Sequence, residues 1–303
     1  MKKLSSAFIY ILISVFILNI SCSRDIAIDI PQVDTKLVVE GHIEQGQVGY
    51  VHITKNAPYF SDFDSTDLSR YIVQDAVVTL TDGSYIDTLH FVIDLNNYPY
   101  FPLVYKGTNL YGEVGKTYTL TVTEGNRTVT ATTTIPHPVP LDSAWFKGEA
   151  ARGDTLGFLW GHLTDPAAEQ NFYRYMTKRL SHHADGSIKD PDFTTSFVSV
   201  FDDKVVNGLG FDYDIDRGRH PTTMATAPED TNEERGFFKR GDTVVYKLCS
   251  IDKGQYDFWR TFELSAGSNG DPFATPVLIQ SNVIGGFGIF GGYGASYDTV
   301  ICR

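Results

Sequence analysis

Alternating apolar and polar residues dominate the chain from residue 36 onward and predict β-strands. Residues 36–43 and 50–54 alternate in this way and are joined by Gly and Gln residues, which is typical of a hairpin. Further strands are predicted where β-branched and aromatic residues cluster between turn residues, at 76–81, 85–92, 117–123 and 128–135. About seven short strands in roughly 100 residues is the spacing of an immunoglobulin-like β-sandwich, which we expect over 34–135.

Proline then interrupts this pattern. Three prolines within 136–140 favour an extended linker, since proline cannot continue a central strand. We therefore predict a second, β-rich domain over 141–303. Its strands are expected at 155–163, 171–180, 193–201, 209–215 and 242–251. The polar loop 217–240 is long enough to be either functional or mobile.

One amphipathic helix is predicted near 253–266. Asp252 can cap it, with Gln255 three residues later in a capping-box arrangement. Phe258, Trp259 and Phe262 form one apolar face, which we expect to cover a sheet. Docking of a partner on this aromatic stripe is the alternative.

The first residues resemble a bacterial lipoprotein signal. A basic start is followed by an apolar run over 4–20 and then by Ser21-Cys22. The resemblance implies a signal peptide over 1–21, lipidation of Cys22 and a tether over 22–33, with a plain cleaved signal or an uncleaved anchor as alternatives. Because no Asp follows Cys22 directly, the outer membrane is the expected location, on its periplasmic or its cell-surface face.

Composition narrows the classes of function. The chain has 303 residues, 42 % of them hydrophobic, and a formal net charge of -12. A chain of this length buries a core without a metal or a disulfide framework. The negative charge repels nucleic acid, so nucleic-acid binding is set aside. Cys249 and Cys302 are compatible with a disulfide in an exported protein, or with two buried thiols.

A glycine-rich segment near the end of the chain has the spelling G-x-G-x-x-G at 286–291. A dinucleotide site requires a strand before it and a helix after it, and neither is predicted here. We expect a glycine-rich turn instead. Its aromatic residues Phe287, Phe290 and Tyr293 either pack inward or face a ligand.

Two patterns raise the question of a metal site. Asp212, Asp214 and Asp216 resemble the opening of a calcium loop, but Arg217 and Thr223 occupy positions that need Gly and Glu. The residues that alternate with these acids instead fit the apolar face of a strand: Phe211, Tyr213 and Ile215.

His182, His183 and Asp185 include types of zinc ligand, yet they lie in a turn-like sequence, and adjacent strand residues point to opposite faces. We therefore predict no metal and no cofactor. The sequence also lacks G-x-S-x-G, H-E-x-x-H, P-loop and C-x-x-C motifs, so we predict that the protein is not an enzyme. A triad assembled only by the fold stays open, because proximity in space defines it.

Several segments together resemble the lipoprotein family known as domain of unknown function 4249. They are 37–43 with 50–53, 201–203 leading to Asn207-Gly208, 256–259, 272–276 and 281–291. The resemblance implies an outer-membrane lipoprotein of Bacteroidetes-type bacteria, often encoded beside a TonB-dependent receptor. It supplies no ligand and no catalytic residue.

The leading hypothesis is a non-enzymatic, lipid-anchored binding or accessory protein that works with a TonB-dependent transporter. A surface adhesin that binds host or matrix molecules through its first domain is one alternative, and a cryptic hydrolase is another.

Overall fold

The computed structural model of the chain describes residues 34–57, 70–94, 102–183, 186–218, 236–268 and 275–303. The predicted signal peptide, Cys22 and the tether 22–33 lie outside these residues. Residues Thr35–Arg303 form one compact unit.

The described part of the chain is mostly β, as the alternating pattern predicted. Its strands are β1 (Leu37–Glu44), β2 (Val48–Lys55), β3 (Val77–Thr81), β4 (Ile86–Ile93), β5 (Leu103–Tyr111), β6 (Thr117–Glu124), β7 (Arg127–Thr134), β8 (Ser143–Gly148), β9 (Leu156–Thr164), β10 (Phe172–Arg179), β11 (Val200–Asp202), β12 (Gly210–Ile215), β13 (Phe238–Lys239), β14 (Thr243–Ile251), β15 (Val283–Ile284) and β16 (Phe287–Ile301). The helix α1 spans Lys253–Ser268.

These strands form two sheets. The larger has twelve strands in the order β11-β10-β14-β16-β1-β2-β5-β4-β3-β6-β7-β15. In the smaller, β9 pairs with β8 and also with β12 and β13. Strands β1 and β16 pair in parallel, and the other neighbouring strands of the two sheets pair antiparallel.

The first half of the chain is sandwich-like, which confirms that part of the predicted fold. Residues 86–89 of β4 pair with β3, whereas residues 90–93 pair with β5, so β4 changes its neighbouring strand along its length. Apolar residues from both parts share one core, including Val39, Leu80 and Leu120. Burial of these side chains supplies the main stabilisation.

Some strand predictions were wrong or missing. Within 193–201 the strand begins only at Val200, because Phe197 and Val198 are exposed and do not alternate with buried neighbours. The strands β5, β8, β13, β15 and β16 were not predicted, and β13 lies within the predicted loop 217–240. The glycine-rich turn expected around 286–291 is instead the start of β16.

Strand β16 joins the two halves of the chain. Its residues 287–293 pair with β1, and residues 294–301 pair with β14. The short strand β15 adds to β7. The division of the chain at 136–140 stays a prediction, but strands from beyond it hydrogen bond with strands that precede it.

The glycines of β16 permit close approach of other parts of the chain. A Cβ on Gly288 would lie 1.8 Å from the carbonyl oxygen of Val39, and the residue has a φ of 106°. A Cβ on Gly291 would lie 2.1 Å from Oε1 of Gln255 on α1. Only glycine fits such positions without displacing its neighbours.

Helix α1 begins as its sequence predicted. The backbone N–H of Gln255 donates to Oδ1 of Asp252 at 2.9 Å, while Oδ2 of Asp252 accepts from the N–H of Thr134 at 3.2 Å. Gln255 is fully buried and donates to the carbonyl of Gly292 at 2.7 Å. The cap therefore fixes the helix to both β7 and β16.

We expect Gly288→Ala to destabilise the protein by about 3 kcal/mol, because the new Cβ meets backbone and the left-handed φ is strained. The free energy of unfolding, measured in urea, tests this. Gly83→Ala is the matched control, since Gly83 has a φ of 88° but no atom within 4 Å of the added Cβ. Its strain alone costs about 1 kcal/mol. Equal losses in the two variants would contradict the role assigned to β16.

Candidate functional site

A pocket of about 410 Å³ lies where the edge strand β11 of the large sheet meets the edge strand β12 of the small sheet. The residues that line it come from β10, from β12 and the residue after its end, and from the segment that contains β11: Tyr175, Val198, Val200, Phe201, Asp202, Val205, Val206, Phe211, Tyr213, Asp214 and Asp216. Its volume is in the range typical of small-molecule sites.

Aromatic rings form one wall of this pocket. The ring of Phe201 stacks on Tyr173 at 5.1 Å between centroids and tilts against Tyr213 at 5.4 Å. Phe211 meets Phe201 edge-on at 6.2 Å. Because each ring is held by others, the wall is fixed in place before any ligand binds.

Phenol hydroxyl groups supply the polar part of the wall. Tyr213 and Tyr246 share a hydrogen bond of 2.7 Å, and Tyr175 shares one of 2.7 Å with Ser196. Burial raises the pKa of Tyr175 to about 12 and also holds the pKa of Tyr213 above its ordinary value. The phenols are therefore neutral at physiological pH.

Carboxylates complete the lining, in which the described residues include Asp202, Asp214 and Asp216 but no Lys, Arg or His. Asp202 accepts a hydrogen bond from the hydroxyl of Tyr256 at 3.1 Å. Burial, and then the negative charge of Asp214, raise the pKa of Asp216. The site thus combines an apolar and aromatic interior with a negative charge.

The alternating acids of β12 lie as the strand interpretation predicted. Phe211 and Tyr213 are half-buried and Ile215 is fully buried, whereas Asp212 and Asp214 are exposed. Asp212 does not join the other acids, because its Oδ1 lies 2.5 Å from Nδ1 of His162 on β9. Within the described residues, no group of three or more His, Cys, Asp or Glu side chains is arranged to hold a metal.

The three aromatic residues proposed from the glycine-rich segment lie apart from the pocket. Phe290 is fully buried in the first core, and Tyr293 is 6 % exposed in another cluster. Phe287 is 44 % exposed, and Nζ of Lys36 lies 4.9 Å from its ring centroid. Phe290 and Tyr293 follow the packed-inward alternative, and Phe287 is the one whose ring reaches solvent.

Tyr293 belongs to a buried polar cluster that the sequence reasoning missed. Its hydroxyl accepts a hydrogen bond of 2.8 Å from Arg174, and Lys247 pairs with Glu44 at 2.5 Å. Tyr297 donates to the same Glu44 carboxylate. Arg174 and Lys247 each stand between apolar residues of predicted strands. This position of two charged residues within predicted strands could have indicated a buried polar cluster, because a buried charge requires a partner.

His42 borders this cluster. Its ring lies 5.5 Å from that of Tyr293. Burial lowers the pKa of His42 to about 3, and the positive charges of Lys247, His52 and Arg174 act in the same direction. The imidazole is therefore neutral throughout the physiological range.

The depressed pKa of His42 predicts a loss of stability in acid. Between pH 6.5 and 3, His42 binds a proton in the unfolded chain but not in the native chain. The free energy of unfolding therefore falls as the pH falls. We expect His42→Phe, which keeps a ring there, to remove a dependence of at most about 1.4 kcal/mol per pH unit. Urea unfolding of both proteins at pH 7 and pH 5 tests this, and parallel losses would contradict it.

The two cysteines of the described residues are unpaired. Cys249 and Cys302 are both buried, and they belong to separate clusters. Burial raises the pKa of the Cys249 thiol to about 11 and that of Cys302 to about 12. Of the two alternatives, the structure has buried thiols that stay protonated at neutral pH.

One arrangement of Ser, His and Asp occurs on the small sheet. Ser143 and Asp212 lie directly opposite His162 on the two strands beside it. Nδ1 of His162 faces Asp212, but Nε2 lies 3.1 Å from where a Cβ on Gly210 would stand, so it is directed along β12. A triad needs that nitrogen at the serine hydroxyl.

The His182-His183 pair lies in a turn-like segment, as predicted. His182 forms an isolated bridge with Ile188, and the carbonyl of His183 accepts from the N–H of Gly186 at 3.0 Å. Asp185 and residues 219–235 of the predicted long loop lie outside the described residues. Across the part of the chain that the structure describes, no helix has the length and apolar character needed to cross a membrane.

The chain matches a family of proteins. A family model with the description "Domain of unknown function (DUF4249)" matches residues 23–298. No curated protein matches the chain.

Proposed function

The chain belongs to the DUF4249 family, whose function is unknown, and on this premise we propose that the protein is a non-enzymatic, lipid-anchored binding protein. It holds a small molecule in the pocket between β11 and β12. It acts at the outer membrane as an accessory to a TonB-dependent transporter.

The pocket carries the binding part of this proposal. Its aromatic wall is packed in place, and both strands that border it are sheet edges. Edge strands keep backbone N–H and C=O groups on one side that no neighbouring strand uses. A concave, mostly apolar site with a few polar groups is the usual form of a small-molecule site.

The exposed residues at the mouth of the pocket add to this support. Val198 is 60 % exposed and Val205 is 85 % exposed, although both are apolar. A ligand that covers these apolar side chains removes their surface from water, which lowers the free energy and so favours binding.

The proposed anchor and location depend on the sequence. Ser21-Cys22 after an apolar run supports lipidation, and several acyl chains on one cysteine would give a stable anchor. The proposed accessory role with a TonB-dependent transporter is supported by the gene neighbourhood that the family resemblance implies. It is an association, and a family or fold alone does not supply a function.

The proposal is tested by capturing the tagged full chain from mildly solubilised outer membranes and analysing the captured material by mass spectrometry. We expect a stoichiometric β-barrel receptor and a bound small molecule. Val198→Trp should block the pocket and remove the small molecule, while Val77→Trp should retain it. Val77 is the matched control, because it is 61 % exposed and lies on β3, which contributes nothing to the pocket lining.

Each readout can contradict one part of the proposal. A small molecule that survives Val198→Trp would place binding outside the pocket. A chain captured without a receptor would contradict the accessory role, and binding of matrix molecules by such a chain would then support the adhesin hypothesis.

A further inference from the structure

Carboxylates surround the pocket. Asp202, Asp214 and Asp216 line it. Two more carboxylates lie behind its aromatic wall, where the hydroxyl of Tyr173 donates to Asp165 at 2.5 Å and Asp203 is fully buried. Among the described residues, none of these five carboxylates makes an ion pair.

This charge acts on the groups of the wall. Burial, the hydrogen bond from Tyr173 to Asp165 and the charges of Asp165 and Asp203 all hold the pKa of Tyr173 above its ordinary value. Burial, and then the negative charge of Asp214, raise the pKa of Asp216 as well. Repulsion between like charges in a partly desolvated site is relieved when a positive charge enters.

The aromatic wall favours the same kind of ligand. Phe201, Phe211 and Tyr213 line the cavity, and the face of such a ring attracts a cation through its quadrupole. Among the described residues of the lining, no Lys, Arg or His competes for this position. The carboxylates and the rings therefore select the same charge, whereas an anion would be repelled by both.

We propose that the pocket binds an organic cation, in which an ammonium or guanidinium group is joined to an apolar body. The cationic group lies between the carboxylates and the rings, and the apolar body lies against Val200 and Phe201. This inference rests on the proposed function, because it names the class of ligand for the same pocket.

The test compares three probes that share one aryl chain and differ in charge. They are 2-phenylethylammonium, 2-phenylethanol and phenylacetate, and each is titrated by calorimetry into the full chain in mild detergent at neutral pH. We expect the ammonium to bind on the order of tenfold more tightly than the alcohol. Phenylacetate should bind more weakly than either, and added salt should weaken the ammonium alone.

A variant pair locates the effect. Asp216→Asn should reduce the preference for the ammonium over the alcohol several-fold, while the affinity for the alcohol stays unchanged. Asp212→Asn is the matched control, because Asp212 lies on β12, whose end directly precedes Asp216, but is outside the lining and paired with His162. It should leave the preference intact.

The outcomes separate this inference from the proposed function. If the alcohol binds as tightly as the ammonium, and Val198→Trp abolishes both, the pocket binds small molecules but the inferred class is wrong. If Asp216→Asn and Asp212→Asn behave alike, the cation does not bind at these carboxylates. If none of the three probes binds, both this inference and the binding role of the pocket are overturned.

Discussion

Strand β16 pairs with two different strands along its length: residues 287–293 pair in parallel with β1, and residues 294–301 pair antiparallel with β14. Both halves of the chain depend on β16. Its partner β1 contributes to the first hydrophobic core, and its partner β14 contributes residues to both of the other cores. Close approach of other backbone to β16 requires residues without a side chain. The glycines at 288 and 294 meet that requirement, since an added Cβ would lie close to the backbone of Val39 and of Pro136.

The position of the pocket follows from the same constraint. Strand β16 holds β14, β14 holds β10, and β10 holds β11 at the edge of the sheet. The small sheet packs its inner face on the same layer, through a cluster that contains Leu159, Ile215 and Tyr246. Two edges therefore meet with a space between them, and the aromatic rings of Phe201 and Tyr213 face that space.

Local pattern was sufficient for many elements of the fold. Alternation predicted β6, β7 and β14 closely, and the Asp252 cap predicted the start of α1, because these signals arise from neighbouring residues. The pattern failed at β16, where glycine has low strand propensity and the favourable contacts come from residues distant in sequence. Phe197 and Val198 misled it in the opposite direction, since both are apolar yet exposed, and Val198 lines the pocket instead of a strand core.

The site was harder to predict than the fold for a related reason. The pocket brings together residues from β10, β11 and β12 that share no spacing in the sequence, so no motif describes them. The sequence interpretation placed Asp212, Asp214 and Asp216 on the polar face of a strand and set a calcium loop aside, but it assigned them no ligand. Their meaning changed once Asp212 was found paired with His162 and Asp216 was found beside aromatic rings.

A high-resolution structure of the full chain purified from its own outer membranes would show whether the pocket between β11 and β12 is the binding site of this protein. We expect electron density for an organic molecule against Phe201 and Tyr213, with a nitrogen toward Asp216. A pocket that holds only water, with an organic molecule bound elsewhere on the chain, would contradict it.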